Sequence, residues 1–199
     1  MSAIDTFRRH CRTNAYALWT GTWDYYAFMD AMIPEIENGY QAAWHEALAA
    51  HGMEPEDATE EEERYVADAQ AQASSHLNDL AEWIEAHARD GNDPLLLAVI
   101  HGRIDLWVND LQRLITWANT ELAGNEKLEW VYGATEKHCR DCATYVGRVY
   151  RARAWARVGA LPQSRELECG GWRCDCRLEP TTARANRGFP PKPSGMRTR

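Results

Sequence analysis

Through most of the first 124 residues apolar side chains return every three or four positions, and that spacing predicts helices. The first stripe, Ile4, Phe7, Cys11, Ala15 and Leu18, breaks at Gly21, and Cys11 on it reads as a small core residue. Asp24 to Met32 is aromatic and apolar on several faces. Pro34 then opens or kinks a helix carrying Ile36, Tyr40, Ala43, Trp44, Ala47 and Leu48, closed by Gly52. An acidic run from Glu54 to Glu63 leads into a helix start, because Thr59 and Glu62 have capping-box spacing and carboxylates suit a helix N-terminus. Val66, Ala69, Ala73, His76, Leu77, Leu80, Trp83, Ile84 and His87 trace its face as far as Gly91, and His76 and His87 read as packed imidazoles. Asp93-Pro94 caps and opens the next helix, with the stripe Leu97, Ile100, Ile104, Trp107, Leu111, Leu114, Ala118 and Leu122 ending at Gly124. Two helices of about 30 residues, roughly 45 Å each, joined by a Gly-Asn-Asp-Pro turn, are expected to pair as an antiparallel hairpin.

After Gly124 the period changes from helical to alternating. Leu128, Trp130 and Tyr132 give a short strand, Gly147-Arg148-Val149-Tyr150 a second, Arg153 to Val158 a short helix, and Arg173 to Leu178 a final strand. From Pro180 onward there is no period. The expected fold is therefore α+β: mainly long α-helices, as a hairpin or bundle, followed by a small β-rich zinc-binding module. Residues 1–124 form the helical body, 125–180 the cysteine-rich module and 181–199 a basic disordered tail.

Composition changes this picture in two ways. The 199 residues are 45% hydrophobic with nine tryptophans, enough to build a core, and no apolar run approaches a membrane span. The net charge of −8 hides a split: residues 1–137 carry 9 Lys+Arg against 25 Asp+Glu, net −16, and residues 138–199 carry 13 against 5, net +8. A basic end on an acidic body either meets an anionic partner such as DNA, through Arg140, Arg148, Arg151, Arg153 and Arg157, or is neutralised within a homo-oligomer.

Candidate chemistry is concentrated in the cysteines. Five of six lie in two clusters, Cys139-x2-Cys142 and, after a gap of 26 residues, Cys169-x4-Cys174-x-Cys176. A C-x2-C knuckle presents two sulfurs to one ion, zinc favours four such ligands, and Gly170 and Gly171 suit a backbone that curls round a metal. Disulfides need an oxidising compartment, and Met1 to Arg12 has no apolar h-region. Cys139, Cys142, Cys169, Cys174 and Cys176 are thus candidate ligands of a structural Zn²⁺, with His138 beside them. This is more than the three that would leave a catalytic zinc an open position. No local signature of a nucleophile with its base occurs. The H-E pair at His45-Glu46 meets its next histidine, His51, six residues on instead of four, which rules out a zinc-protease helix. A nucleobase deaminase needs an H-x-E upstream of P-C-x-x-C, and the chain has neither.

The run Trp130-Val131-Tyr132-Gly133, then Cys139-x-x-Cys142, Gly147-Arg148-Val149-Tyr150, Trp155, Pro162 and Cys174-Asp175-Cys176-Arg177-Leu178 resembles the C-terminal module of the phage Mu protein F-like minor head (head morphogenesis) proteins. The likeness covers about 50 residues. Cys169-Gly170-Gly171 stands where the family has His-Pro, and Asp175 replaces Arg between the last cysteines. Cys169 then takes over the histidine's ligand role, and Cys174 and Cys176 are left as alternatives for the last place. The resemblance implies a non-enzymatic minor head or capsid assembly protein of a phage or prophage. Its implied partners are the portal and/or the major capsid protein, with packaged DNA reached through the basic C-terminal part. It implies a location in the virion, or in the host cytoplasm during assembly. The runner-up is a zinc-stabilised nucleic-acid-binding module, ahead of a zinc-dependent nuclease or deaminase.

Overall fold

The computed structural model describes residues 2–88, 94–135, 137–172 and 174–198. It is α+β, with helices through the first two thirds and a three-stranded antiparallel sheet after them. The chain divides into two units, Met1–Glu46 with Glu54–Leu111, and Ala47–Met53 with Gln112–Arg199. Among the described residues no helix is long and apolar enough to cross a membrane.

In the first unit, α1 (Ala3–Trp19) starts at Ser2, whose hydroxyl accepts the Asp5 N–H, and buries Phe7, Cys11, Ala15 and Leu18 as their spacing predicts. The second helix, α2 (Tyr25–Ala50), begins before Pro34 and carries it inside, with Asp24 Oδ1 accepting the Ala27 N–H at 2.8 Å. Pro34 is exposed, which leaves the missing backbone hydrogen bond on the solvent side. Gly39 lets α1 and α2 close on each other, since a Cβ there would lie 2.4 Å from the Phe7 ring.

Thr59 and Glu62 form the expected capping box at the start of α3 (Glu60–Ser74). The single long helix expected after them is two, α3 and α4 (Leu77–Ala88). Ser75 breaks it by donating its hydroxyl to the Gln72 carbonyl at 2.7 Å, a local bond that competes with the helical ladder. His76 falls in the resulting turn and is exposed, which corrects its reading as a packed imidazole. His87 does pack, stacked on Trp83 at 4.1 Å between ring centroids. The fifth helix, α5 (Pro94–Leu122), anchors to its neighbours through Asp105, which accepts from Arg12 at 2.8 Å, and through Trp107, whose indole N–H donates to the Ala73 carbonyl. The expected turn at Gly91-Asn92-Asp93 lies outside the described residues.

In the second unit β1 (Lys127–Val131) is the central strand, flanked by β2 (Val149–Arg151) and β3 (Arg177–Pro180), with Leu128 opposite Tyr150 and Trp130 opposite Leu178. Alternation in β1 sends Leu128 and Trp130 inward. Two short helices, α6 (Arg140–Tyr145) and α7 (Ala152–Arg157), complete an aromatic core. Trp155 meets Trp130, Tyr145 and Tyr150 with ring centroids 5.6, 5.7 and 5.0 Å away, the last two edge-on, and its indole N–H donates to the Leu128 carbonyl.

The segment after Pro180, expected to be a disordered tail, instead runs along this unit. Asn186 exchanges two hydrogen bonds with the Val149 backbone, Tyr145 donates to the Pro191 carbonyl, and Pro190 and Pro193 are buried. Composition misses this because the segment is held by its partners' polar groups rather than by a periodic apolar face.

Candidate metal centre

Cys139 is the N-cap of α6, with its Sγ accepting the Cys142 N–H, so the first knuckle is a helix start that presents two sulfurs 3.4 Å apart. Cys174 and Cys176 come from the strand-like approach just before β3. The final strand begins only at Arg177, later than the sequence reading put it. Cys142, Cys174 and Cys176 are buried and lie within 4.8 Å of one another, close enough to hold a metal ion. Cys139, Cys169 and His138 line the same small cavity, of about 30 Å³. All five predicted cysteine ligands are therefore brought together, and both Cys174 and Cys176 belong to the buried trio, where the sequence reading made them alternatives. Cys11 lies in the other unit, on the buried face of α1.

The separations fit an ion better than a disulfide. A tetrahedron of sulfurs about 2.3 Å from zinc has edges of about 3.8 Å, and Cys142 Sγ lies 3.9 Å from Cys174 Sγ. None of the six cysteines is in a disulfide. His138 Nδ1 lies 3.7 Å from Cys176 Sγ, and its ring stacks on Tyr132 at 3.7 Å.

Proton affinities in the cluster are pulled apart by its own contacts. Cys142 is held far above the ordinary thiol range, first by hydrogen bonding with Cys169, Cys174 and Cys176, then by burial. Cys174 is held far below it, because Cys142, Cys169 and Cys176 all turn their thiols to it. In Cys169 the bond with Cys142 lowers the pKa, but Cys174 and burial outweigh it and push the thiol up to about 12. Cys176 is raised in the same way. Neighbouring sulfurs thus act on one another's proton affinities, as they do where several thiols crowd one small space, and a divalent cation is the species that would replace their protons.

Backbone donors prepare the sulfurs for negative charge. The backbone N–H groups of Gly171, Gln163 and Gly133 lie where they lower the proton affinity of Cys169, Cys174 and Cys176 respectively, favouring the thiolate. Two of these donors demand glycine. A Cβ on Gly133 would lie 1.9 Å from the Asp175 carbonyl oxygen, and one on Gly171, at φ 77°, would lie 2.1 Å from that of Gln163.

Two supporting residues escaped the sequence reading. Gln163, taken for part of a loop, is buried at φ 61°; its amide donates to the carbonyls of Cys174 and Cys176, both at 2.7 Å, and its Oε1 accepts from Thr116 of α5. Asp141, between the knuckle cysteines, is also buried. Its carboxylate accepts from the Glu168 N–H, which precedes Cys169, and from both the N–H and hydroxyl of Ser194. The one available signal was Asp141's position inside a C-x2-C pair; nothing local marked Gln163.

Of the arginines proposed to meet nucleic acid, Arg151, Arg153 and Arg157 line one groove. Arg140 lies apart from it with an exposed side chain 3.9 Å from Glu168, and Arg148 is half-buried and outside the groove. No family model, curated protein or solved structure matches the chain.

Proposed function

We propose that this chain is a non-enzymatic assembly component of a phage-type head, of the minor head protein kind, whose C-terminal module folds around one structural zinc ion. The observation that carries the reading is where the residues of the sequence resemblance fall. Trp130, Tyr150 and Trp155 build the aromatic core, Gly133 occupies a place no side chain can enter, and Cys139, Cys142, Cys174 and Cys176 face one cavity. Motif members that fill a core, admit a close backbone approach or face a ligand cavity mark a module by its fold rather than by a reaction.

Zinc fits the donor set because five sulfurs and an imidazole surround a space sized for one ion, which closes a four-ligand shell and leaves no position for substrate. We assign the shell to Cys139, Cys142, Cys174 and Cys176, with Cys169 alongside as a reserve ligand. The helical part, read as a hairpin or bundle, supplies the protein-binding surface. Leu95, Val99 and Leu106, exposed at intervals of four and seven on α5, offer it to portal or capsid protein.

Elemental analysis of protein purified without added metal is expected to return about one zinc per chain. Co-expression with portal and capsid proteins, where genes for them lie beside this one, is expected to yield a complex with at least one of them. Failure to associate with any head component, together with zinc-dependent cleavage or deamination of nucleic acid, would replace this reading with an enzymatic one.

A further inference from the structure

The second unit carries a groove that the metal centre does not use. Between α7 and residues 185–189 lies a cavity of about 470 Å³, lined by Arg151, Arg153 and Arg157 together with Asn186 and Phe189, and with no carboxylate in its wall. Arg153 and Arg157 are four residues apart on α7 and so share a face. Among the described residues neither has a carboxylate within ion-pairing distance, and the same holds for Arg184 and Arg187, which flank the lining residues of the opposite wall without lining the cavity themselves. Clustered guanidinium groups without counter-charge repel one another, and an anion relieves that cost.

Two further features narrow the anion. Phe189 is 56% exposed, and the Arg157 guanidinium lies 5.1 Å over its ring. An aromatic ring kept in solvent beside arginines suits a flat, polarisable partner as well as a charged one. Asn186 is held in place, because its N–H and Oδ1 are both engaged by the Val149 backbone, and among the described residues nothing takes up its amide N–H groups. Cations for a backbone, a ring for stacking and a fixed amide for a base edge together describe an unpaired nucleotide.

We propose that this groove binds single-stranded nucleic acid, with phosphates on Arg151, Arg153 and Arg157 and a base stacked on Phe189. The site does not depend on the head-assembly reading: loss of oligonucleotide binding would leave association with portal or capsid untouched, and the reverse. The test uses full-length, zinc-loaded protein and a fluorescein-labelled oligothymidine followed by anisotropy at several salt concentrations. Arg153→Gln/Arg157→Gln is expected to weaken binding at least tenfold and to flatten the log–log salt dependence by about 1.4, two contacts at roughly 0.7 each. Phe189→Ala is expected to weaken binding about tenfold with the salt dependence unchanged. Arg140→Gln, outside the groove, is expected to leave affinity within about twofold. Zinc content and circular dichroism verify that each variant is folded, and the Phe189 variant carries the test if the double arginine variant loses metal. Equal affinity for a duplex of the same sequence would overturn the single-strand assignment. Binding of heparin and oligothymidine alike, insensitive to Phe189→Ala, would reduce the groove to a general polyanion surface and overturn the proposal.

Discussion

Single residues decide the metal centre, and they differ in how replaceable they are. Cys142 touches the sulfurs of Cys139 and Cys174 and is buried with Cys174 and Cys176, so Cys142→Ser is expected to abolish zinc binding and unfold the second unit. Cys139 and Cys169 lie at the more open side of the same cavity. Each single Ser variant is therefore expected to keep zinc, the other sulfur taking the fourth place, while the double variant loses it. Metal loss in Cys169→Ser as complete as in Cys142→Ser would show that no reserve exists. Gln163 acts one step outward. Gln163→Leu leaves the Cys174 and Cys176 carbonyls and the Thr116 hydroxyl without their partner, and zinc affinity measured against a chromophoric chelator is expected to fall about 10- to 100-fold. The cysteine cluster was legible in the sequence because residues that could share one ion must be of a few types at short spacings. Gln163 was not, because any side chain with an amide could stand in a loop, and only the fold reveals that it bonds two backbone carbonyls eleven and thirteen residues away.

At the scale of elements, sequence periodicity worked where an element's own side chains determine it. The stripe of α1, the capping box of α3 and the alternation in β1 are local patterns, and each element stands where its pattern lies. It failed where a polar group intervenes. At the break between α3 and α4 a serine hydroxyl bonds a carbonyl of the preceding turn, and residues 181–198 are held by hydrogen bonds to Asp141, Tyr145 and Val149 that have no sequence period. That segment is expected to act as a strap. Truncation after Pro180 removes the two donors of Ser194 from the buried Asp141 carboxylate and uncovers the Tyr145 hydroxyl, so it is expected to lower the unfolding midpoint of the second unit rather than leave it unchanged. Asp141→Ala tests the same attachment in the full chain: trypsin is expected to cleave at Arg184 and Arg187 markedly faster than in the parent. Equal cleavage rates would show that the strap is held without Asp141.

For the whole molecule the division into two units predicts two separable stabilities. The first unit has its own core, in which Phe7, Phe28, Met32, Ile36, Tyr40, Ile84, Ile100 and Ile104 are all buried, and nothing in that core depends on a metal. The second is built around four aromatic side chains and a cysteine cluster, so if the proposed zinc is bound, much of its folding free energy should come with it. Removing zinc with a strong chelator is expected to collapse the near-ultraviolet signal of Trp130 and Trp155 and expose residues 125–198 to proteolysis. Most of the far-ultraviolet helical signal should persist, because α1, α3 and α4 lie wholly within the first unit. The two long helices make the experiment sharper. Both α2 and α5 begin in the first unit and end in the second, so their last turns lose their packing when the metal leaves. Hydrogen exchange is then expected to rise in Gln112–Leu122 and Ala47–Ala50 and to stay slow around Ile100 and Ile104. A single cooperative loss of all helices on chelation would show instead that the metal holds the entire chain together, and that the two units are one folding unit.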